Sequence, residues 1–227
     1  SLVFHWSKIE MYRFGPALEA NRFEKLFYWP DPRGRALRQV RKGLDSQDPT
    51  LLSIETLAKK SVAVQGLLAL EFILFGSASE TLHIGNAHRC NYLRSIVGVI
   101  AINANSLSDS WQGKAGYAAE IINAGRANSL YNSPGKVIQE LIKAAATQLR
   151  IVGELKIAAS IGKLPGKPKP KRAPFWRSDL TTTTLAVNIG AVERLLSSGI
   201  SELVARKAGN AQESFKFELS QVKEELK

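Results

Sequence analysis

Within Gly66-Leu67-Leu68-Ala69-Leu70-Glu71-Phe72-Ile73-Leu74-Phe75, Glu71 is the single ionisable side chain, with apolar residues on every side of the helix this segment should form. An ionised carboxylate in such surroundings is costly unless paired. Its chemistry is therefore expected to be a raised pKa or a partner: an arginine, a metal ion or a hydrogen-bond donor. Gln65, six residues earlier, and Leu68, three earlier, are expected to project toward neighbouring parts of the same helical surface. A structural ion pair and a functional carboxylate both satisfy this pattern.

Glu80 and His83 stand three apart, with His88 and Cys90 close behind, and superficially offer metal ligands. Di-iron bundles use that pair twice with further carboxylates. Here one copy is present and Gly85-Asn86 interrupts the helix between the histidines, so a solvated loop is expected. His5 and Glu10 are five apart, about 140° around a helix, and do not make the two-histidine chelate of zinc peptidases. His5 is read as an ordinary surface or core histidine. A lone cysteine, Cys90, excludes an internal disulfide and any multi-cysteine zinc or iron–sulfur site.

No G-x-S-x-G elbow, Walker loop, dinucleotide glycine fingerprint or H-E-x-x-H occurs, which removes the standard hydrolase and nucleotide chemistries. Two basic clusters remain: Arg33, Arg35, Arg38, Arg41 and Lys42, then Lys163, Lys167, Lys169, Lys171 and Arg172. Phosphates or anionic lipids could meet either. Neither comes with a nucleic-acid motif or stacking aromatics, so they read as solvated faces and no nucleic-acid partner is expected.

The elements that must position these groups are helical. Leu2, Trp6, Ile9 and Tyr12 recur at helical spacing until Gly15-Pro16. After the turn-rich Tyr28–Gly34 stretch, structure resumes at Arg35. One long helix is expected from Thr50 to Phe75, started by Asp48-Pro49-Thr50 and stopped by Gly76-Ser77. Further helices are expected over Asn86–Asn105, Ser110–Ala124 and Gly135–Ser160, the last with a stripe of Val137, Ile138, Leu141, Ala145, Leu149, Val152 and Leu155. Gly162–Pro174 alternates Lys with Pro and reads as an extended crossing loop. Helices from the Ser178–Thr184 caps through Leu196, and from Gln212 to Leu226, complete an all-α reading. Ala63-Val64-Gln65 and Ala186-Val187-Asn188 open similar apolar helices, as chance or a duplicated bundle would produce.

The 227 residues suffice for one large domain or two small ones, with 44% apolar and 22% charged residues, ordinary globular usage that excludes a disordered chain. The net charge is +11. The longest apolar stretch, Ser61–Gly76, carries Gln65 and Glu71 and falls short of the ~20 apolar residues that span a bilayer. The first methionine is Met11, so the natural start is expected upstream, together with any targeting segment.

The run Ser61–Gly76 resembles the signature helix of imelysin-like proteins, and Arg13-Phe14-Gly15-Pro16, Trp29-Pro30-Asp31-Pro32-Arg33-Gly34, His88-Arg89-Cys90 and Phe175-Trp176-Arg177-Ser178-Asp179-Leu180 with Asn188 resemble further pieces in family order. The resemblance implies two related antiparallel helical bundles packed together. It divides the chain into a bundle over residues 1–160, a Lys/Pro-rich crossing loop over 161–174 and part of a second bundle over 175–227, with the chain incomplete at both ends. It implies a periplasmic or lipid-anchored bacterial protein linked to iron uptake, and an interdomain site with the motif G-x-H-x-x-E. Gly66 and Glu71 match that motif, whereas its histidine position is Leu68.

Imidazole and carboxylate three apart on a helix can share one metal, while leucine offers no donor. Iron or zinc at Glu71 is thus weakened, and a binding or accessory role is expected in place of catalysis. The expected pocket gathers Glu71, Gln65, Arg13, Glu10, Arg177 and Asn188, from family order. The alternatives are a metal-dependent peptidase of the imelysin type and a structural bundle docking a partner protein or an anionic membrane.

Overall fold

Side chains that accept from main-chain N–H groups decide where helices begin. Both oxygens of Asp31 accept, from Arg35 N and Ala36 N at 2.8 Å each, Ser53 Oγ accepts from Thr56 N, and Asn86 Oδ1 accepts from Arg89 N. The computed structural model describes residues 2–162 and 167–200, together with Ser214, Phe217, Glu218, Ser220, Gln221 and Glu224. In chain order the α-helices are α1 (Leu2–Ile9), α2 (Arg22–Leu26), α3 (Arg35–Asp45), α4 (Ile54–Ala58), α5 (Gly66–Phe75), α6 (Ala87–Trp111), α7 (Tyr117–Ile122), α8 (Pro134–Arg150), α9 (Ala158–Ile161) and α10 (Thr181–Leu195). Short 3₁₀ turns join several of them, and Ile151–Ile157 and Leu196–Ile200 are π-helical. No strand occurs among the described residues, so the fold is all-α.

The long helix expected over Thr50–Phe75 is broken. Gln65 is extended (φ −123°, ψ 176°) and Gly66 has φ +73°, so α5 starts afresh there. The cause is close backbone packing: a Cβ on Gly66 would lie 2.5 Å from Lys25 O and 2.6 Å from Leu26 O. The first helix ends at Ile9, before the Gly15-Pro16 stop, and α6 runs through Ser110 to Trp111, leaving only the short α7 of the helix expected over Ser110–Ala124. The expected Gly135–Ser160 helix is present but passes through the π-helical turn at Ile151–Ile157. The Lys/Pro loop contains one 3₁₀ turn, Pro170–Arg172, and Lys163 lies outside the described residues, as does most of the helix expected over Gln212–Leu226.

The contacts divide the chain into two compact units that are not sequential. One comprises residues 1–13, 118–173 and 179–227, the other residues 14–117 and 174–178. This differs from the sequential division at 160 and 175, because α1 packs with α10 and the short 174–178 segment joins the unit of α5. In the first unit α1 and α8 both pack against α10, and Met11, Ala145, Ala191 and Val192 form a core bordered by Tyr12, Leu149, Leu195 and Leu196. In the second unit α2, α4 and α5 pack against α6, burying Ile73, Tyr92 and Ile96.

Candidate functional site

Glu71 is 4% exposed and its Oε1 is a focus of donors from one short segment. Arg177 N donates at 2.9 Å and Ser178 N at 3.1 Å, and Ser178 Oγ lies 3.0 Å away. The Ser178 hydroxyl has one proton, which it shares between Glu71 and Phe175 O at 3.2 Å. Two adjacent N–H groups converge on one oxygen because the segment turns sharply: Phe175 and Asp179, at its ends, have φ +60° and +57°. Phe175 is anchored by stacking on Phe27, with ring centroids 5.5 Å apart. Arg177 Nη1 stands 3.9 Å from Glu71 Oε2, and its guanidinium covers the Trp176 ring at 4.3 Å. Burial pushes the Glu71 carboxyl above its ordinary value, and the Ser178 and Arg177 bonds pull against that rise. Glu71 thus clamps the Phe175–Asp179 turn onto α5.

The remaining site residues named from the sequence fall into two places. Gln65 does not join Glu71: it precedes the helix, and its Nε2 donates to Leu57 O at 3.0 Å and Lys60 O at 2.7 Å, tying down the approach to α5. Glu10, Arg13 and Asn188 do meet, in the first unit, around a residue the sequence reading passed over. Lys156 Nζ donates to Glu10 Oε2 at 2.8 Å and to Asn188 Oδ1 at 2.7 Å. Asn188 Nδ2 donates to Ser7 O at 2.7 Å, and Arg13 Nη2 donates to Glu10 Oε1 at 2.8 Å. Glu10 and Lys156 side chains are fully buried. Burial lowers the Lys156 pKa against the opposing pull of Glu10. Lys156 continues the apolar column of Ala145, Leu149 and Val152, and a charged residue at that register was the available signal. The group ties α1 to α10 and to the π-helical turn of Ile151–Ile157.

The profile of the imelysin family, whose label is Peptidase M75, matches residues 3–227. The chain belongs to the imelysin family. Among solved structures, the crystal structure of an imelysin-like protein from Psychrobacter arcticum 273-4 is similar, with a TM-score of 0.75 and 19% identity over 99% of this chain. The present chain spans 66% of that protein's length. No curated protein sequence matches.

The imelysin motif positions now have physical content. The glycine, Gly66, is required by its positive φ and by the carbonyls of Lys25 and Leu26 against it. The glutamate, Glu71, is the turn clamp. At the histidine position Leu68 supplies only carbon. A metal fits these residues poorly: Glu71 Oε1 already accepts two N–H groups, and the Arg177 charge beside Oε2 opposes a cation. Among the described residues no three His, Cys, Asp or Glu side chains are grouped to hold a metal ion.

Proposed function

We propose that this imelysin-family chain is a binding or accessory protein of bacterial iron uptake, exported to the periplasm either free or lipid-anchored, that works without metal-dependent peptide hydrolysis. Family membership supplies the iron-uptake and periplasmic setting as a reading to be tested. The observation that carries the non-catalytic role is the occupation of Glu71: the carboxylate that would bind a metal or activate water holds the Arg177 and Ser178 amides instead, and Leu68 leaves it without an imidazole partner. The reading is tested by incubating the purified protein with an unfolded protein substrate, with and without a chelator. No chelator-sensitive cleavage is expected, and cleavage that a chelator abolishes and zinc restores overturns the role. For the setting, cell fractionation is expected to recover the chain with the periplasm or its bounding membrane, and loss of the gene to slow growth only when iron is scarce. A cytosolic location would defeat that part of the reading.

A further inference from the structure

The unit of residues 14–117 and 174–178 carries a feature that the Glu71 clamp does not use. Phe72, next to Glu71, has three guanidinium groups around its ring: those of Arg177, Arg41 and Arg89, with Cζ 5.4, 5.5 and 5.9 Å from the ring centroid. Each contact is attractive alone, but three like charges at one ring repel. The ion pair within reach is Glu71 with Arg177, at 3.9 Å. Among the described residues neither Arg41 nor Arg89 makes an ion pair.

Arg89, 4% exposed, spends its hydrogen bonds on neutral carbonyls at the end of α5: Nε and Nη2 on Ile73 O at 3.0 and 2.9 Å, Nη2 also on Phe72 O at 3.1 Å, and Nη1 on Ser77 O at 3.1 Å. A guanidinium has five N–H groups, so one on Nη1 is left over and the positive charge is not cancelled. Arg41 and Arg89 line a cavity of about 200 Å³ together with Thr81, Asn86 and His88. Asn86 Oδ1 is taken by the Arg89 N–H, which leaves its amide NH₂ as a neutral donor, and His88 Nε2 donates to Asp48 O at 3.2 Å. The 25-residue helix α6 begins at this wall, and its N-terminal end adds positive potential. Asp45 also lines the cavity and Glu80 acts on Arg89, but both carboxylates are exposed, where water screens them.

We propose that this cavity is a binding site for a small multivalent oxyanion, a phosphate or a polycarboxylate, held by Arg41 and Arg89 with Asn86 as neutral donor. An anion there relieves the repulsion around Phe72 and gains charge-assisted hydrogen bonds. The inference does not depend on the role assigned to Glu71. The test is isothermal titration calorimetry of the full chain with inorganic phosphate and, separately, citrate, at constant ionic strength. Saturable binding of at least one probe, one per chain, is expected, and which probe binds separates a phosphate ligand from a polycarboxylate one. Arg41 is exposed, so Arg41→Ala keeps the fold and is expected to weaken binding by about tenfold or more, the loss of one charge-assisted bond. Arg33→Ala, an exposed cation outside the cavity, is expected to leave binding unchanged. If neither probe saturates, or Arg33→Ala weakens binding as much as Arg41→Ala, the site is refuted.

Discussion

Replacing Glu71 tests the clamp through two substitutions that the geometry separates. Glu71→Ala removes the acceptor of Arg177 N and Ser178 N and orphans two half-buried donors. Hydrogen bonds to a charged acceptor contribute roughly 1.5–3 kcal/mol each. Water reaches part of the segment, and removing a buried charge returns some desolvation, so about 2–3 kcal/mol of stability should be lost. Glu71→Gln keeps a carbonyl oxygen for the same donors and should cost under about 1 kcal/mol. The pH dependence separates them further. The folded Glu71 pKa lies above the unfolded value near 4.5, so the folded state holds its proton longer. As pH rises from about 4.5 through that raised pKa, the wild-type protein therefore loses stability on account of this group, and the loss persists above it. Glu71→Gln lacks that decline, so its stability relative to wild type improves across this window. Urea unfolding gives the free energies, and amide hydrogen exchange at Arg177 and Ser178 reports the bonds themselves. Those amides should be protected in the wild type and in Glu71→Gln and exchange freely in Glu71→Ala. If Glu71→Ala is within about 0.5 kcal/mol of wild type, or the two amides exchange equally fast in all three proteins, the clamp does not exist.

Other substitutions read other parts of the structure. Gly66→Ala meets both the positive φ and the Lys25 and Leu26 carbonyls, and a thermal melt should show a loss of more than about 2 kcal/mol. Lys156→Met leaves the buried Glu10 with Arg13 and the Asn188 amide and should cost about 3–5 kcal/mol in urea unfolding; since burial lowers the folded Lys156 pKa, wild-type stability should rise with pH between that value and 10.5, and the variant should lose the rise. Arg89→Lys should destabilise nearly as much as Arg89→Ala, because an ammonium cannot span the Phe72, Ile73 and Ser77 oxygens that the guanidinium holds; equal stability of Arg89→Lys and wild type would show that the cap is not needed.

Glu71 was legible because a lone charge in an apolar helix must find a partner, and Arg177 was among the partners named for it. What holds Glu71 was not legible, since two of its three donors are main-chain N–H groups and no sequence pattern marks them. The break before α5 was hidden for a similar reason: Gly66 reads as an ordinary small residue until the Lys25 and Leu26 carbonyls are against it. Spacing placed Gln65 beside Glu71 only on the premise of an unbroken helix, and the premise fails at Gln65 itself. Lys156 was hidden differently, because a lysine on a helix usually marks the solvated side, whereas here it is buried against Glu10 and Asn188. The all-α class, by contrast, followed from helical periodicity and start signals, although Asp48, read as the start of a long helix, caps only the 3₁₀ turn Pro49–Leu51.

Glu71 serves as a hydrogen-bond clamp where the family motif would suggest a metal ligand. Elemental analysis of the purified full chain and of Glu71→Gln, after exposure to zinc and to iron and removal of loosely held ions, tests it most directly. Metal well below one ion per chain, equal in the two proteins, is the predicted result. One zinc or iron per wild-type chain that is absent from Glu71→Gln would contradict it.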